Sequence, residues 1–198
     1  IVFANTADPV EAGIVQSLAR PGGNITGFTN FEKATSPKWL EFLKEIAPGV
    51  TRVAILFNPG NLAWHRALPL LLSVAPQLAI ELVEAPIRGA SDIRQQLAMH
   101  ASRSGTGVLA YPESTTNSHR ELIVEQANTL RVPAVYAYRE FCELGGLISY
   151  GVDVLDIFRR SASYVDLILR GAAPADLPIQ APTKFQLVIN LKTAKSLG

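Results

Sequence analysis

Short apolar runs alternate along the chain with longer segments in which apolar residues recur every three or four positions. A continuous apolar run predicts a buried strand, and the longer spacing predicts an amphipathic helix. Five successive strands are predicted in this way, at residues 53–57, 80–83, 107–110, 133–137 and 147–150. Because helices separate strands that are apolar throughout, we expect a parallel sheet with helices on both faces. The predicted fold class is therefore α/β, and a flavodoxin-like strand order is the simplest topology.

Three further elements are predicted outside this pattern. Residues 1–4 form another apolar run, which predicts a strand. Asp8 followed by Pro9 predicts the start of a helix, whose apolar residues continue at four-residue spacing, at Val10, Ile14 and Leu18. Residues 153–170 predict a longer helix, with an apolar stripe that consists of Val154, Phe158, Ala162, Val165 and Leu169. Both helices therefore present an apolar face that needs a partner.

The composition is typical of a globular protein. Of the 198 residues, 48% are hydrophobic and 18% are charged, so the chain can form a substantial core. The net charge of +1 argues against a nucleic-acid-binding protein, which would carry a basic excess on one face. The single cysteine, Cys142, excludes an internal disulfide. No stretch reaches the roughly 20 apolar residues of a membrane helix.

The residues that follow the predicted strands are candidates for ligand contacts, because open parallel sheets bind ligands beyond the carboxyl ends of their strands. Four of the five tyrosines lie at these ends, namely Tyr111, Tyr136, Tyr138 and Tyr150. A tyrosine offers an apolar ring and one hydroxyl, which suits a pocket for a small amphipathic molecule. Each tyrosine could equally be a half-buried strand residue or pack under a loop. The cluster as a whole favours a pocket.

A polar run at residues 114–118 opens the helix predicted after the third strand. Free N–H groups at a helix start, with hydroxyls beside them, favour an anion such as a ligand carboxylate. Serine, threonine and asparagine are also ordinary capping residues. The sequence leaves both interpretations open.

No recognisable enzyme motif is present, since the chain lacks the phosphate-binding, zinc-protease and hydrolase patterns. His65, His100 and His119 are far apart and have no cysteine or histidine at ligand spacing, so we expect packing or surface roles for them. Cys142 is expected to be a buried, inert thiol. These observations favour a binding protein over an enzyme, with no catalytic residue, metal site or cofactor.

Several short motifs together resemble one known family. They include the sequences LARPGGNITG, VAILFNP, GGLISYG and VINLKTA, and they lie at residues 7–10, 18–27, 53–59, 138–141, 145–151, 177–178, 182–185 and 188–194. In this order they are similar to the ABC-transporter substrate-binding protein family that includes tryptophan- and phenylalanine-binding members. The resemblance implies a type I periplasmic binding protein, whose two α/β lobes, joined by three crossovers, close on a ligand. It also implies an extracytoplasmic location and delivery of a small solute to a membrane permease driven by an ATPase.

The resemblance also implies a division of the chain into lobes. Residues 1–25 and 151–178 are expected to be remnants of a first lobe, most of which would precede residue 1. Residues 26–150 and 179–198 are expected to form the second lobe, which is the flavodoxin-like one. Gly27 and Gly151 flank expected crossovers, where they could act as hinges or as ordinary turn glycines.

The family's cleft residues carry over in part. The resemblance implies ligand contacts from Asn58, Tyr111 and Tyr150, and more weakly from Tyr138, Glu113, Thr6 and Asp8. We expect the tyrosines to stack on the ligand, while Asn58, Thr6 and Asp8 hydrogen-bond its amine or carboxylate. The implied ligand is amino-acid-like, with aromatic amino acids as the family's best-known solutes, and it is bound between the lobes without chemistry.

Two other functions for this fold stay open, and the interpretation also predicts a homodimer. The same fold could serve as a ligand-sensing module in a receptor or regulator, and a flavodoxin-like enzyme would need a cofactor loop that the sequence lacks. The apolar stripes of the helices at 8–20 and 153–170 would have no first-lobe partner in a truncated chain. We therefore expect this chain to form a homodimer through them.

Overall fold

The computed structural model describes residues 1–30 and 35–198, without the side chains of residues 62, 63 and 66. The strands are β1 (Val2–Thr6), β2 (Thr26–Thr29), β3 (Arg52–Phe57), β4 (Glu81–Pro86), β5 (Thr106–Ala110), β6 (Ala134–Tyr136), β7 (Ile148–Val152) and β8 (Phe185–Ile189). The α-helices are α1 (Thr35–Ile46), α2 (Leu62–Val74), α3 (Ala90–Ala101), α4 (Ser114–Ser118), α5 (Arg120–Thr129), α6 (Arg139–Glu143), α7 (Val154–Leu169) and α8 (Leu191–Leu197). Within these described ranges, no helix is long and apolar enough to cross a membrane.

The chain divides into two compact units. The first comprises residues 1–32 and 152–185, and the second comprises residues 33–151 and 186–198. These boundaries differ by one to seven residues from the expected lobe boundaries. The largest differences arise because β2 and the segment around Gln180, which hydrogen-bond to each other, both belong to the first unit.

The large sheet has the strand order β4-β3-β5-β6-β7-β8. All neighbouring pairs from β4 to β7 are parallel. Counted along the chain, these five strands have the order second, first, third, fourth, fifth, so the predicted flavodoxin-like topology is confirmed. The parallel arrangement also places the ends of β3, β5, β6 and β7 along one edge.

An additional edge strand, β8, lies next to β7 and was not predicted. The backbone N–H of Asn190 donates to the carbonyl of Leu147 at 2.9 Å, and that of Asp153 donates to Lys184 at 3.0 Å. In these two pairs one residue number rises as the other falls, so β8 is antiparallel to β7. The parallel arrangement of the five predicted strands is thus confirmed, and β8 adds one antiparallel strand at the edge. The side chains of β8 are exposed or half-buried, which explains why no continuous apolar run marks it.

Helices cover both faces of the sheet in the second unit. Val53, Ile55 and Phe57 of β3 point toward α1 and α2, where they pack in one cluster that includes Leu40, Leu43, Trp64 and Leu71. Ala54 and Leu56 point the other way, into a cluster that includes Ile93, Leu97, Ile123 and Ala127. Because successive strand side chains alternate between faces, a strand covered on both faces must be apolar throughout. This confirms the basis of the sequence prediction.

The first unit contains a two-stranded parallel sheet, β1 and β2, with α7 packed against it. Asp153 begins α7 by accepting a hydrogen bond from the Asp156 N–H at 3.0 Å, as a capping residue does. The buried face of α7 brings Ile157 and Tyr164 against Phe28 of β2. Phe28, Ile157 and Tyr164 therefore form the centre of this unit's core.

The helix predicted from Asp8 is not formed. The chain makes only a turn there, in which the Ile14 N–H donates to the Pro9 carbonyl at 2.9 Å and Asp8 Oδ1 accepts from the Glu11 N–H. Gly13 then adopts φ +68°, which no helix continues. The predicted apolar residues of this segment, Val10, Ile14 and Leu18, are exposed. An apolar spacing without a surface to pack on does not sustain so short a helix.

The predicted helix at 153–170 is confirmed as α7, but its apolar stripe faces outward. Leu169 is 82% exposed and Phe158 is 55% exposed, and Val165 is exposed as well. The side that packs on the strands carries Ile157 and Tyr164 instead. The expectation that the stripe finds no partner in this chain therefore agrees with the exposure of its side chains.

The two proposed hinge glycines lie inside strands. A Cβ on Gly27 would lie 2.1 Å from the Phe3 carbonyl oxygen, and one on Gly151 would lie 2.0 Å from the Ala137 carbonyl oxygen. Close approach of a neighbouring backbone therefore accounts for both glycines without a hinge.

Candidate functional site

The loops that follow β3 and β5 meet at the carboxyl edge of the sheet because these two strands are neighbours. The backbone N–H of Asn58 donates to Glu113 Oε1, and Asn58 Nδ2 donates to Thr115 Oγ1 at 2.8 Å. Asn58 Oδ1 accepts from the Gly60 N–H at 2.9 Å. The structure therefore brings together Asn58 and Glu113, two of the predicted site residues.

Glu113 is a buried acid, only 8% exposed, that begins α4. Its Oε2 accepts a hydrogen bond from Asn61 Nδ2 at 2.8 Å, and its side chain also accepts from the Thr116 N–H. Burial raises the pKa of this carboxyl, while the hydrogen bonds from Asn61 and Asn58 act in the opposite direction. Both carboxylate oxygens are therefore engaged within the protein.

The Glu113 contacts resolve the polar run at 114–118. Thr116 Oγ1 accepts from the Glu113 N–H at 3.3 Å, so Glu113 and Thr116 form a capping box at the start of α4. A carboxylate of the protein already occupies this helix start. Within the run, Thr116 therefore has a capping role, and the N-cap itself is Glu113.

Tyr111 lies at the same edge but is buried among aromatic side chains. Its ring meets Trp64 edge-on at a centroid distance of 5.3 Å and Trp39 at 6.4 Å. Trp64 stacks on Phe57 at 4.5 Å and donates from Nε1 to Glu84 Oε1. Two tryptophans, which were not predicted as part of the site, thus pack against Tyr111.

Tyr150 and Tyr138 are half-buried and pack against the same core cluster. The Tyr150 ring meets Phe42 of α1 at 4.9 Å, and the Tyr150 carbonyl accepts a hydrogen bond from Trp39 Nε1 at 2.6 Å. The pKa of Tyr138 is raised by burial and by the neighbouring Glu140. Both tyrosines keep part of their surface exposed, as a ligand contact requires.

Tyr136 is a core residue. It is fully buried and stacks on Phe141 at 4.6 Å, and burial raises its pKa strongly. For this tyrosine the alternative of a strand residue without a ligand role fits the structure. It differs in this respect from Tyr150 and Tyr138.

The predicted contacts in the first unit, Thr6 and Asp8, lie at the end of β1 and just after it. Thr6 ends that strand, and its carbonyl accepts from the Asn30 N–H at 3.0 Å. Asp8 caps the following turn. The neighbouring Asn5, which the sequence analysis missed, adopts φ 63° and holds a buried Oδ1 that has no hydrogen-bond partner within residues 1–30 and 35–198. A buried acceptor of this kind is typical of a position that meets water or a ligand.

The histidines and the cysteine occupy other regions. His100 is buried, and its pKa is lowered by burial and by Arg52 and Arg103. Cys142 is buried, and burial raises its pKa. In the part of the chain that the structure describes, no group of three or more His, Cys, Asp or Glu side chains could hold a metal ion.

A family model for ABC transporter substrate-binding proteins matches residues 1–198, which is the whole chain. The chain belongs to this family. The family is a substrate-binding class without catalytic activity, and its fold is that of the type I periplasmic binding proteins. The fold and family that the sequence motifs indicated are therefore confirmed.

Three relatives illustrate the match. A tyrosine-binding protein of Clostridioides difficile (strain R20291) is 25% identical over the whole chain, which spans 56% of that protein's length. A conserved domain protein from Vibrio cholerae has a structure that matches the whole chain with a TM-score of 0.87 and 32% identity, over 66% of its own length. The ABC domain from Streptococcus pneumonia, solved in complex with L-Trp, matches 99% of the chain with a TM-score of 0.85 and 22% identity, over 67% of its length. This substrate-binding protein chain thus spans about half to two thirds of the length of these relatives.

Proposed function

We propose that this chain is the solute-binding part of an ABC-type uptake transporter and that it binds its solute without chemistry. The observation that carries the proposal is made at the carboxyl edge of the large sheet. There a hydrogen bond from Asn58 to Glu113 connects two loops, next to the aromatic side chains of Tyr111 and Trp64. This is the edge at which parallel α/β sheets bind ligands.

We propose an aromatic amino acid as the solute. The half-buried rings of Tyr150 and Tyr138 offer stacking surfaces, and Trp39, Phe42 and Tyr111 lie behind or beside them. Aromatic pairs favour offset or edge-on contacts of this kind. A tyrosine-binding relative and a structural neighbour that holds L-Trp support the same ligand class.

Within this proposal, Asn58, Tyr111 and Tyr150 are the main contacts, and Tyr138, Thr6 and Asp8 are further ones. Glu113 is not among the proposed contacts, because its carboxylate is buried and accepts hydrogen bonds from Asn58 and Asn61. The half-buried Tyr150 can stack on an aromatic ring, and the amide of Asn58 can meet an amine or carboxylate. Tyr111 is buried, so its proposed contribution is the floor against which a solute ring would pack.

The test is a thermal-shift and titration-calorimetry screen of L-tryptophan, L-tyrosine, L-phenylalanine and non-aromatic amino acids. A solute at about 100 times its Kd stabilises the folded state by about 2.7 kcal/mol. Tyr150→Leu should weaken binding about tenfold or more, because it removes the stacking ring. Tyr136→Phe is the matched control and should leave binding unchanged. If only non-aromatic amino acids stabilise the protein, the proposed ligand class is wrong.

We further propose that the protein acts outside the cytoplasm and delivers its solute to a membrane permease driven by an ATPase. This partner is the one that its family serves. Addition of the loaded protein should stimulate the ATPase of the reconstituted transporter encoded beside it. A neighbouring gene for a kinase or a DNA-binding segment, with no permease gene, would instead favour a ligand-sensing module in a receptor or regulator.

We also propose that the 198-residue chain self-associates into a homodimer through the outward stripe of α7. Phe158, Val165 and Leu169 form one exposed apolar surface there, with Leu155 beside it. Exposed apolar surface of this kind is typical of association sites. A second copy of the chain would cover one such stripe with another, as two-fold symmetric dimers do.

A further inference from the structure

Glu113 lies at the junction of two loops, and in the described part of the chain no cation forms an ion pair with it. Among the ion pairs of the described residues none includes Glu113, and its partners are the amide donors of Asn58, Asn61 and Thr116. A buried carboxylate that lacks an opposite charge costs stability, because desolvation disfavours its ionised form. The raised pKa of Glu113 reflects this cost.

A glutamine at this position would avoid the cost. It has nearly the same volume, and its amide oxygen could still accept a hydrogen bond. An ionised carboxylate, however, accepts at both oxygens at once and forms stronger, charge-assisted hydrogen bonds. The carboxylate therefore forms strong hydrogen bonds to two donors of a different loop, which a neutral side chain cannot do at both oxygens.

Those two donors are in the loop that carries the main polar contact. The Asn58 N–H and Asn61 Nδ2 both donate to Glu113, so the carboxylate grips residues 58–61 at both ends. Between these points, Gly60 N donates to Asn58 Oδ1, and Asn58 Nδ2 donates to Thr115 Oγ1. Glu113 thus holds the backbone of the loop in which the Gly60 N–H binds the Asn58 side chain.

We propose that Glu113 is a positioning residue for solute binding, which holds Asn58 in place through its carboxylate and does not itself contact the solute. This inference rests on the proposed function. A direct contact is disfavoured because the Glu113 side chain is buried, whereas Asn58 is half-buried and keeps part of its surface exposed. Glu113 acts through Asn58, and its effect on solute affinity is an effect on the order of residues 58–61.

The test measures amide hydrogen exchange by NMR in the 198-residue chain, together with calorimetric affinity for L-tryptophan and L-tyrosine. In Glu113→Ala, exchange at the Asn58 N–H should accelerate at least tenfold, and affinity should fall by about tenfold. Thr116→Ala removes the hydroxyl half of the capping box but leaves the grip of the carboxylate on residues 58–61. In this control, exchange at Asn58 should stay as in the unsubstituted chain.

Glu113→Gln keeps the volume and one acceptor, so it should restore part of the protection at Asn58. It also serves as the test variant if Glu113→Ala does not fold. Unchanged exchange at Asn58 in both Glu113 variants would overturn the proposal. A loss of affinity with unchanged exchange would instead indicate direct contact with the solute, which also overturns it.

The two proposals fail in different ways. If the unsubstituted chain binds neither L-tryptophan nor L-tyrosine, the proposed solute is wrong. The exchange comparison needs no solute, so it still decides whether Glu113 holds Asn58 in place.

Discussion

The two units of this protein bury their apolar residues in different ways. In the second unit, a six-stranded sheet is covered by helices on both faces, and side chains such as Leu56 and Ile93 are fully buried. In the first unit, two strands and one helix bury Phe28, Ile157 and Tyr164, while Leu169 and Phe158 remain exposed. The core of the second unit therefore lies on both faces of its sheet, whereas the core of the first unit is a small cluster between two strands and one helix.

This difference indicates how each unit is stabilised. A small core buries too little apolar surface to offset the conformational entropy of its chain with a wide margin. Local stability within a protein varies in this way between regions with many and with few buried contacts. We expect the first unit to open before the second, and four measurements test that comparison.

The largest effect is expected from a cavity in the second core. Trp64 is completely buried between Phe57 and Tyr111, so Trp64→Ala should cost about 3–5 kcal/mol of unfolding free energy. Phe28→Ala makes the corresponding change in the first unit. Both tryptophans, Trp39 and Trp64, lie in the second unit, so denaturation followed by tryptophan fluorescence reports that unit.

Phe28→Ala should leave the fluorescence midpoint nearly unchanged but accelerate amide exchange in β1, β2 and α7. A fluorescence midpoint that falls as far for Phe28→Ala as for Trp64→Ala would mean that the two units unfold together. In that case the comparison between two separate cores would be wrong.

A smaller effect is expected where strands approach closely. An alanine at position 151 would place its Cβ against the Ala137 carbonyl, and one at 27 would press on Phe3. Each should cost about 1–3 kcal/mol or more, since a packed backbone must shift. Gly49→Ala is the matched control, because no atom lies within 4 Å of its added Cβ. Equal denaturation midpoints for all three variants would contradict the close approach seen in the strands.

The buried acids of the two units should respond differently to pH. Burial raises the pKa of Glu113 above its ordinary value of 4.5, so the folded state holds this proton more tightly than the unfolded chain does. The contribution of Glu113 to stability is therefore largest below about 4.5 and falls as pH rises through its folded pKa. Glu113→Gln should raise the melting temperature at pH 7, and the gain should vanish in acid.

Asp156 of the first unit provides the control for that measurement. It is also buried but lies 2.8 Å from Lys184 Nζ, so its charge has a partner. Asp156→Asn should not raise the melting temperature at pH 7. A lower melting temperature for Glu113→Gln than for the unsubstituted chain at pH 7 would show that the hydrogen bonds of the carboxylate outweigh its desolvation.

The smallest effect on stability is expected on the outward stripe of α7. Phe158→Glu and Leu169→Glu change exposed side chains, so each should alter unfolding free energy by about 0.5 kcal/mol or less. Both should nevertheless weaken the proposed dimer in analytical ultracentrifugation. Ser163→Glu is the control, since Ser163 is exposed on the same helix but is not part of the stripe. A monomer at tens of micromolar in the unsubstituted chain would refute the dimer.

Much of the second unit could be predicted because the apolar residues of its strands show directly that both faces of the sheet are buried. The run at 53–57 is apolar on both faces since both faces are covered, and the structure places β3 there within one residue. The neighbouring positions of Asn58 and Glu113 follow from the strand order, so part of the candidate site was also predictable. The tyrosines were less informative, because Tyr136 ends β6 and Tyr138 follows it by two residues, so that both lie near the carboxyl edge, but Tyr136 alone is fully buried.

The first unit resisted prediction for a physical reason. Val10, Ile14 and Leu18 have helical spacing, yet these residues lie in a turn and in irregular chain, and their side chains are exposed. β2 was missed because its four residues, Thr26–Thr29, include two threonines and a glycine and form no apolar run. Trp39 and Asn61 were missed as neighbours of the site, since only their contacts with Tyr150 and Glu113 reveal that role.

By itself, the amino-acid sequence determined the alternation of strand and helix, the parallel core and the family, because these depend on local periodicity and on motifs that are contiguous in the chain. Only the tertiary structure decided which side of α7 is buried, where β8 lies and what Glu113 holds. These features depend on contacts between residues that are far apart in the chain, and their energies are not contained in any local pattern.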